Sequence, residues 1–203
     1  MQLVWDVAES RVPLYFRTEQ QMTDDEFYQF CQRNADLRIE RTAEGEIIIM
    51  PGTGGITGYR NNHLSMQLMA WSLRDGRGVA FDSSTQFRLP SGASMMPDAC
   101  WIERGRLAQL TAEEKRRFLP LCPDFVVELT SPSDRLPQVQ KKMRQWMADG
   151  ARIGWLIDAD NRAAYIYRQG QDPERLVAPE RLSGEGLVQG LVLELAEIWD
   201  PSL

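Results

Sequence analysis

A chain of 203 residues, 43% hydrophobic and 26% charged, has the size and balance of one soluble folded domain spanning residues 1–203, with a core of its own. No apolar run approaches a membrane span, and the opening MQLVWDVAES lacks the basic-then-apolar pattern of a secretion signal. The expectation is therefore a cytoplasmic protein without a membrane partner. A formal net charge of −6 argues against broad nucleic-acid binding through a basic surface, but not against a metal site, which needs carboxylates.

Thr23-Asp24-Asp25-Glu26 is a capping box and predicts a helix to about Asn34, with Phe27, Phe30 and Cys31 as its apolar stripe. Leu37 to Arg41 and Glu46 to Met50 read as strands joined at Ala43-Glu44-Gly45, a hairpin. Pro51-Gly52-Thr53-Gly54-Gly55 lacks the Lys-Ser/Thr ending of a P-loop and reads as a linker rather than a phosphate cradle. A second helix is expected from Asn61 to Asp75, with Leu64, Leu68, Trp71 and Ser72 on one side. Its first turn would carry Asn61 and His63, the lone histidine. A base or ligand role for His63 competes with the commoner surface or capping role. One histidine excludes a histidine-rich metal site, and no nucleophile elbow is present.

Val79 to Asp82 and Gln86 to Leu89 read as strands, and Pro90 to Ser94 as a turn. Asp82 is a further candidate acid, though turn capping explains it as well. Pro97 to Ile102 is an acidic strand bearing Asp98, Arg104-Gly105 a turn, and Thr111 to Phe118 a short capped helix. The three cysteines, Cys31, Cys100 and Cys122, match neither a disulfide framework nor a zinc spacing, and Cys100 and Cys122 read as buried thiols.

The centre of the chain is PDFVVELTSPSDRLPQVQKKMRQWMADG, residues 123–150. Alternation puts Phe125, Val127 and Leu129 on one strand face, and Val126, Glu128 and Thr130 on the other. A carboxylate at Glu128 is costly to bury without a partner. Ser131-Pro132-Ser133-Asp134 breaks the strand and offers helix caps. Leu136, Val139, Met143, Trp146 and Met147 then fall at helical spacing, and Gly150 closes the helix. Arg152 to Asp158 follows as an apolar strand, and strand-helix-strand suits a parallel crossover. Ala163 to Arg168 and Leu187 to Leu195 complete the strands, and Ala196 to Trp199 forms a helical end. The class is α/β, a mixed sheet flanked by helices, with an amino-terminal helix and hairpin.

Two carboxylates and a cation could converge here. Asp98 and Glu128, with the Leu129 carbonyl, are candidate ligands for Mg²⁺ or Mn²⁺, which choose oxygen. Lys142 lies at the edge of the apolar stripe and can reach back to the sheet, whereas Lys141 lies nearly opposite it. Asp98, Glu128 and Lys142 would then form a phosphodiester-hydrolysing set, with His63 and Asp82 as accessories. The competing reading makes Glu128 and Lys142 a structural ion pair and Asp98 a strand cap.

The runs FDSSTQFRLPSGASMMPDACWI and FLPLCPDFVVELTSPSDRLPQVQKKMRQWMADGARIGWLIDADNRAAYIYR resemble the Uma-two family, grouped as endonucleases in the restriction-endonuclease-like PD-(D/E)xK superfamily. The resemblance implies that fold, a divalent metal between Asp98 and Glu128, a DNA substrate and, by analogy, a homodimer. It also exposes a departure. The superfamily lysine would stand two residues after Glu128, where Thr130 stands, and its role would pass to Lys142 on the helix; the acid that the superfamily often carries on the helix before the core would be replaced by Asn61 or His63, or by nothing. Three functions remain open: a Mg²⁺-dependent endodeoxyribonuclease, an inactive nuclease fold that binds nucleic acid or protein, and a hydrolase of another phosphoester such as RNA.

Overall fold

The computed structural model describes residues 13–132 and 134–203. The opening stretch read for a secretion signal, and Ser133 of the expected turn, lie outside them. Among the described residues no helix is long and apolar enough to cross a membrane.

The capping box forms as written. Glu26 N–H donates to Thr23 Oγ1, and Thr23 N–H donates to the Glu26 carboxylate at 2.8 Å. These bonds start α1 (Asp24–Arg33), which seats Phe27 on a cluster with Ile39, Ile47 and Ile49. The hairpin is β2 (Arg38–Arg41) and β3 (Ile47–Met50), paired from Arg41–Ile47 to Arg38–Met50, with Gly45 at φ +81° in its turn. An unexpected strand, β1 (Leu14–Phe16), adds to β3.

The second helix starts earlier than its apolar period suggests. α2 spans Gly55–Asp75, so the glycine loop feeds directly into it, and Asn61 and His63 lie well inside rather than in the first turn. Gly55 and Gly58 are poor helix formers, and burial of Thr57 and Arg60 holds the extra turns. β4 (Gly78–Asp82), β5 (Phe87–Arg88), β6 (Ser94–Met95) and β7 (Ala99–Glu103) follow. The expected Pro90–Ser94 turn is thus the bend of a small hairpin, and the expected Arg104-Gly105 turn is a short helix, α3 (Arg104–Ala108). The Thr111 cap forms, with Glu114 accepting its N–H at 2.8 Å, but supports only one 3₁₀ turn, Glu114–Arg116.

β8 (Phe125–Leu129), α4 (Leu136–Ala148) and β9 (Ile153–Asp158) form the expected crossover, with β8 and β9 parallel from Phe125–Ile153 to Leu129–Ile157. Asp134 does not cap α4; it accepts from Ser131, and Arg135 is the N-cap. Gly150 closes the helix at φ +116°. β10 (Ala163–Arg168) and β11 (Glu174–Val177) extend the sheet. The expected strand from Leu187 to Leu195 is instead a 3₁₀ turn (Gly186–Val188), a break at Gly190 (φ +85°), and a short strand. That strand, β13 (Val192–Glu194), pairs with β12 (Arg181–Ser183), and α5 (Ala196–Trp199) ends the chain.

The strands form a six-stranded mixed sheet, β11-β10-β9-β8-β7-β4, a five-stranded sheet, β1-β3-β2-β6-β5, and the β12-β13 pair. Phe125, Val127 and Leu129 pack towards α2 and α5. Val126 faces the opposite way, into a cluster with Val139, Met143 and Trp146 of α4 and Phe87 and Met95 of the second sheet. Each fully buried apolar side chain of α4 contributes about 2 kcal/mol. The faces therefore follow the alternation read from the sequence. Cys100 and Cys122 are buried free thiols, and burial pushes Cys122 up to about 12.

Candidate active site

Glu128 sits in the middle of an apolar strand and is 3% exposed. The register explains how Asp98 joins it. Ala99 pairs with Val127 in the antiparallel β7–β8 ladder, so the residue before β7 falls beside the residue after Val127. Asp98 N–H donates to Val127 O at 3.1 Å, and Asp98 Oδ2 accepts the Leu129 N–H at 2.8 Å. Asn61, from α2, donates to Asp98 Oδ1 at 3.2 Å. The two candidate acids are thus held by neighbouring strands and oriented by main-chain and helix donors.

α4 supplies the cation. One turn before Trp146, Lys142 stands 3.2 Å from Glu128 Oε1, and Trp146 Nε1 donates to the same oxygen at 2.7 Å. Among the described residues nothing donates to Glu128 Oε2. Lys142 also meets Glu40 Oε1 at 3.0 Å and donates to Met96 O at 2.7 Å. Lys141 is exposed, as the helical geometry predicts.

Glu40 is the residue that sequence reading missed. It lies on β2, is 4% exposed, and accepts the Met96 N–H at 2.8 Å. Its only local signal is the Arg-Ile-Glu-Arg alternation of a hairpin strand, which reads equally well as a solvent-facing charge. The site itself lies in a cleft of about 700 Å³ between the sheets, lined by Glu40, Asn61, Asp98, Glu128, Leu129 and Lys142 among others.

The other candidates stand elsewhere. His63 stacks on Tyr59, ring centroids 4.5 Å apart, and Asp82 holds the Ser84 N–H and hydroxyl at 3.0 and 2.7 Å. Neither lines the cleft. The Ser84 hydroxyl holds the Asp82 carboxyl below its ordinary range, as a turn-capping aspartate requires. Thr130 does not face the acids through its hydroxyl. Its Oγ1 accepts the Ala159 N–H at 3.1 Å, tying β8 to the turn after β9.

The electrostatics bear the mark of crowded like charge. Burial, reinforced by Asp98 and Glu40 and opposed by Lys142, pushes Glu128 up to about 8. Burial also raises Asp98. For Lys142, burial pulls downward, but Glu128, Glu40 and Asp98 outweigh it and hold the ammonium above its ordinary value.

Among the described residues no three His, Cys, Asp or Glu side chains form a ready-made metal cage. Mg²⁺ does not need one, because it is commonly held by one or two carboxylates, with waters and substrate phosphate filling the remaining positions. Asn61 Oδ1, beside Asp98, is buried without a hydrogen-bond partner among the described residues and adds an unused oxygen to the two carboxylates. This all-oxygen donor set fits a hard divalent cation.

The sequence profile of the Uma2 family, described as "Putative restriction endonuclease", matches residues 24–196. The chain belongs to the Uma2 family. A crystal structure described as a putative nuclease belonging to DUF820, from Anabaena variabilis ATCC 29413, superposes with a TM-score of 0.69. It is 21% identical and the match covers 88% of this chain and 97% of that one, a likeness of fold. No curated protein matches. Family and fold together make this a Uma2 protein with the restriction-endonuclease-like architecture and of the nuclease class.

Proposed function

We propose that this Uma2 protein is a divalent-metal-dependent endonuclease that hydrolyses DNA phosphodiester bonds. The observation that supports it is the meeting of Asp98, Glu128 and Lys142, from two strands and a helix, in one cleft. Asp98, Glu128, the Leu129 carbonyl and Asn61 Oδ1 are the residues that would hold Mg²⁺ or Mn²⁺. Such an ion supplies an acidified water and polarises the phosphate. Asp98 and Glu128 are the acceptors that keep a water oriented, and Leu129 N–H and Trp146 Nε1 fix their rotamers. Lys142 places a positive charge where negative charge develops on the phosphoryl oxygens. A homodimer, presenting two clefts to two strands, and a cytoplasmic location belong to the same proposal.

One observation favours a second reading. Lys142 Nζ already has three oxygen neighbours, a hydrogen bond to Met96 O and ion pairs with Glu40 and Glu128, as in a structural ion-pair network of a protein that binds without cutting. Supercoiled plasmid incubated with Mg²⁺ or Mn²⁺ separates the two. Nicking by the wild type and not by Asp98→Asn supports the nuclease. Plasmid retained by a gel shift but intact with both proteins supports the binding module. Parallel RNA substrate tests the choice of nucleic acid.

A further inference from the structure

Lys142 has two carboxylate partners, and only one of them, Glu128, belongs to the Asp98–Glu128 pair of candidate ligands. Glu40 approaches from the other sheet. A closed ring results: Met96 N–H donates to Glu40 Oε1 at 2.8 Å, Lys142 Nζ lies 3.0 Å from that oxygen, and Lys142 donates to Met96 O at 2.7 Å. Met96 stands two residues before Asp98, so the ring fixes the ammonium and the approach to Asp98 together.

The charges give the ring a purpose. Glu40, Asp98 and Glu128 against Lys142 leave a net −2 when all are ionised, the complement of a divalent cation. A cation drawing on Glu128 takes away one of the two negative charges that balance Lys142. A buried ammonium left without a carboxylate is strongly unfavourable, so a second counter-charge is needed.

We propose that Glu40 is a positioning residue of this site: it retains and balances Lys142 while Asp98 and Glu128 hold the divalent cation. The inference rests on the nuclease reading above. Glu40 acts through Lys142 and not as a ligand. Partners of this kind, one step removed from a metal, are worth roughly 10- to 100-fold in affinity or activity.

The test is Mn²⁺ binding by calorimetry, without DNA, for wild type, Glu40→Gln, Lys142→Met and the double variant. Glu40→Gln keeps an acceptor for Met96 N–H, and melting curves verify the fold; Glu40→Asp serves should the glutamine variant not fold. The expected result is a Kd raised about tenfold by Glu40→Gln in the wild-type background, and much less than that in the Lys142→Met background. The same loss in both backgrounds overturns the positioning role, because Glu40 would then act on the cation directly. Unchanged Kd in Glu40→Gln overturns it too. No Mn²⁺ bound by the wild type, with Asp98→Asn giving the same trace, removes the nuclease reading and this inference with it.

Discussion

Trp146 Nε1 donates to Glu128 Oε1 at 2.7 Å, a neutral donor committed to a carboxylate that is almost wholly out of water. The bond links the central helix to the central strand at the charged position on that strand face. Replacing Trp146 with Phe keeps an aromatic ring and removes the donor. Hydrogen bonds to charged groups contribute about 1.5–3 kcal/mol. Chemical denaturation of Trp146→Phe is expected to show a loss of at least about 2 kcal/mol, the smaller ring adding to it.

Asp98→Asn and Glu128→Gln are expected to abolish plasmid nicking while the far-ultraviolet circular dichroism and the cooperative melt persist. Either variant nicking at the wild-type rate, with a normal melt, removes that residue from the site.

The two neighbouring lysines make an internal control. Lys142 is enclosed by Glu40, Glu128 and Met96 O, whereas Lys141 is exposed on α4. Lys142→Ala should lower the nicking rate about a hundredfold or more, and Lys141→Ala should leave it within a few-fold. Equal effects would reject the assignment.

Glu128 gives a pH dependence of definite sign. Its folded value, about 8, lies above that of an ordinary carboxyl, because burial disfavours the charge. Between the two values the native state binds more protons than the unfolded chain, so stability falls as pH rises through that window. Glu128→Gln lacks this group. Its melting temperature relative to wild type should climb from about pH 5 to pH 9, while Mn²⁺ affinity of the wild type strengthens over the same range. A difference in melting temperature that is flat with pH would exclude Glu128 as the titrating group.

Arg41 is 5% exposed and borders the cleft, and its guanidinium is engaged in structural contacts. It donates to Met22 O at 2.9 Å, to Gly92 O at 2.8 Å and to Asp24, and lies 4.8 Å over the Phe27 ring. Lysine cannot reproduce that fork. Arg41→Lys should destabilise by roughly 2–4 kcal/mol in urea titrations without altering nicking by the protein that remains folded.

What could be read in advance was local. The β8–α4–β9 unit shows itself because each segment keeps one period and ends at a turn signal. Lys142 was separable from Lys141 because a 100° step divides the helix edge from its outer face. α2 lost its first six residues to the reading because Gly55 and Gly58 suppress the helical signal, and only packing of Thr57 and Arg60 restores it. Glu40 was hidden for a different reason. Its strand alternates as an open hairpin would, and its burial comes from α4 and the Met96 connection, over a hundred residues away in the case of Lys142. His63 stands mid-helix rather than at the apparent helix start, because α2 begins at Gly55.

The Met96 ring has a bearing on how a large substrate could arrive. It fastens β2 of one sheet, the segment joining that sheet to β7 of the other, and α4 over both. Prising the sheets apart to make room for a duplex would undo the same contacts that seat the lysine. On the proposed reading, a substrate would have to enter the cleft at its resting width, because widening it would unseat Lys142.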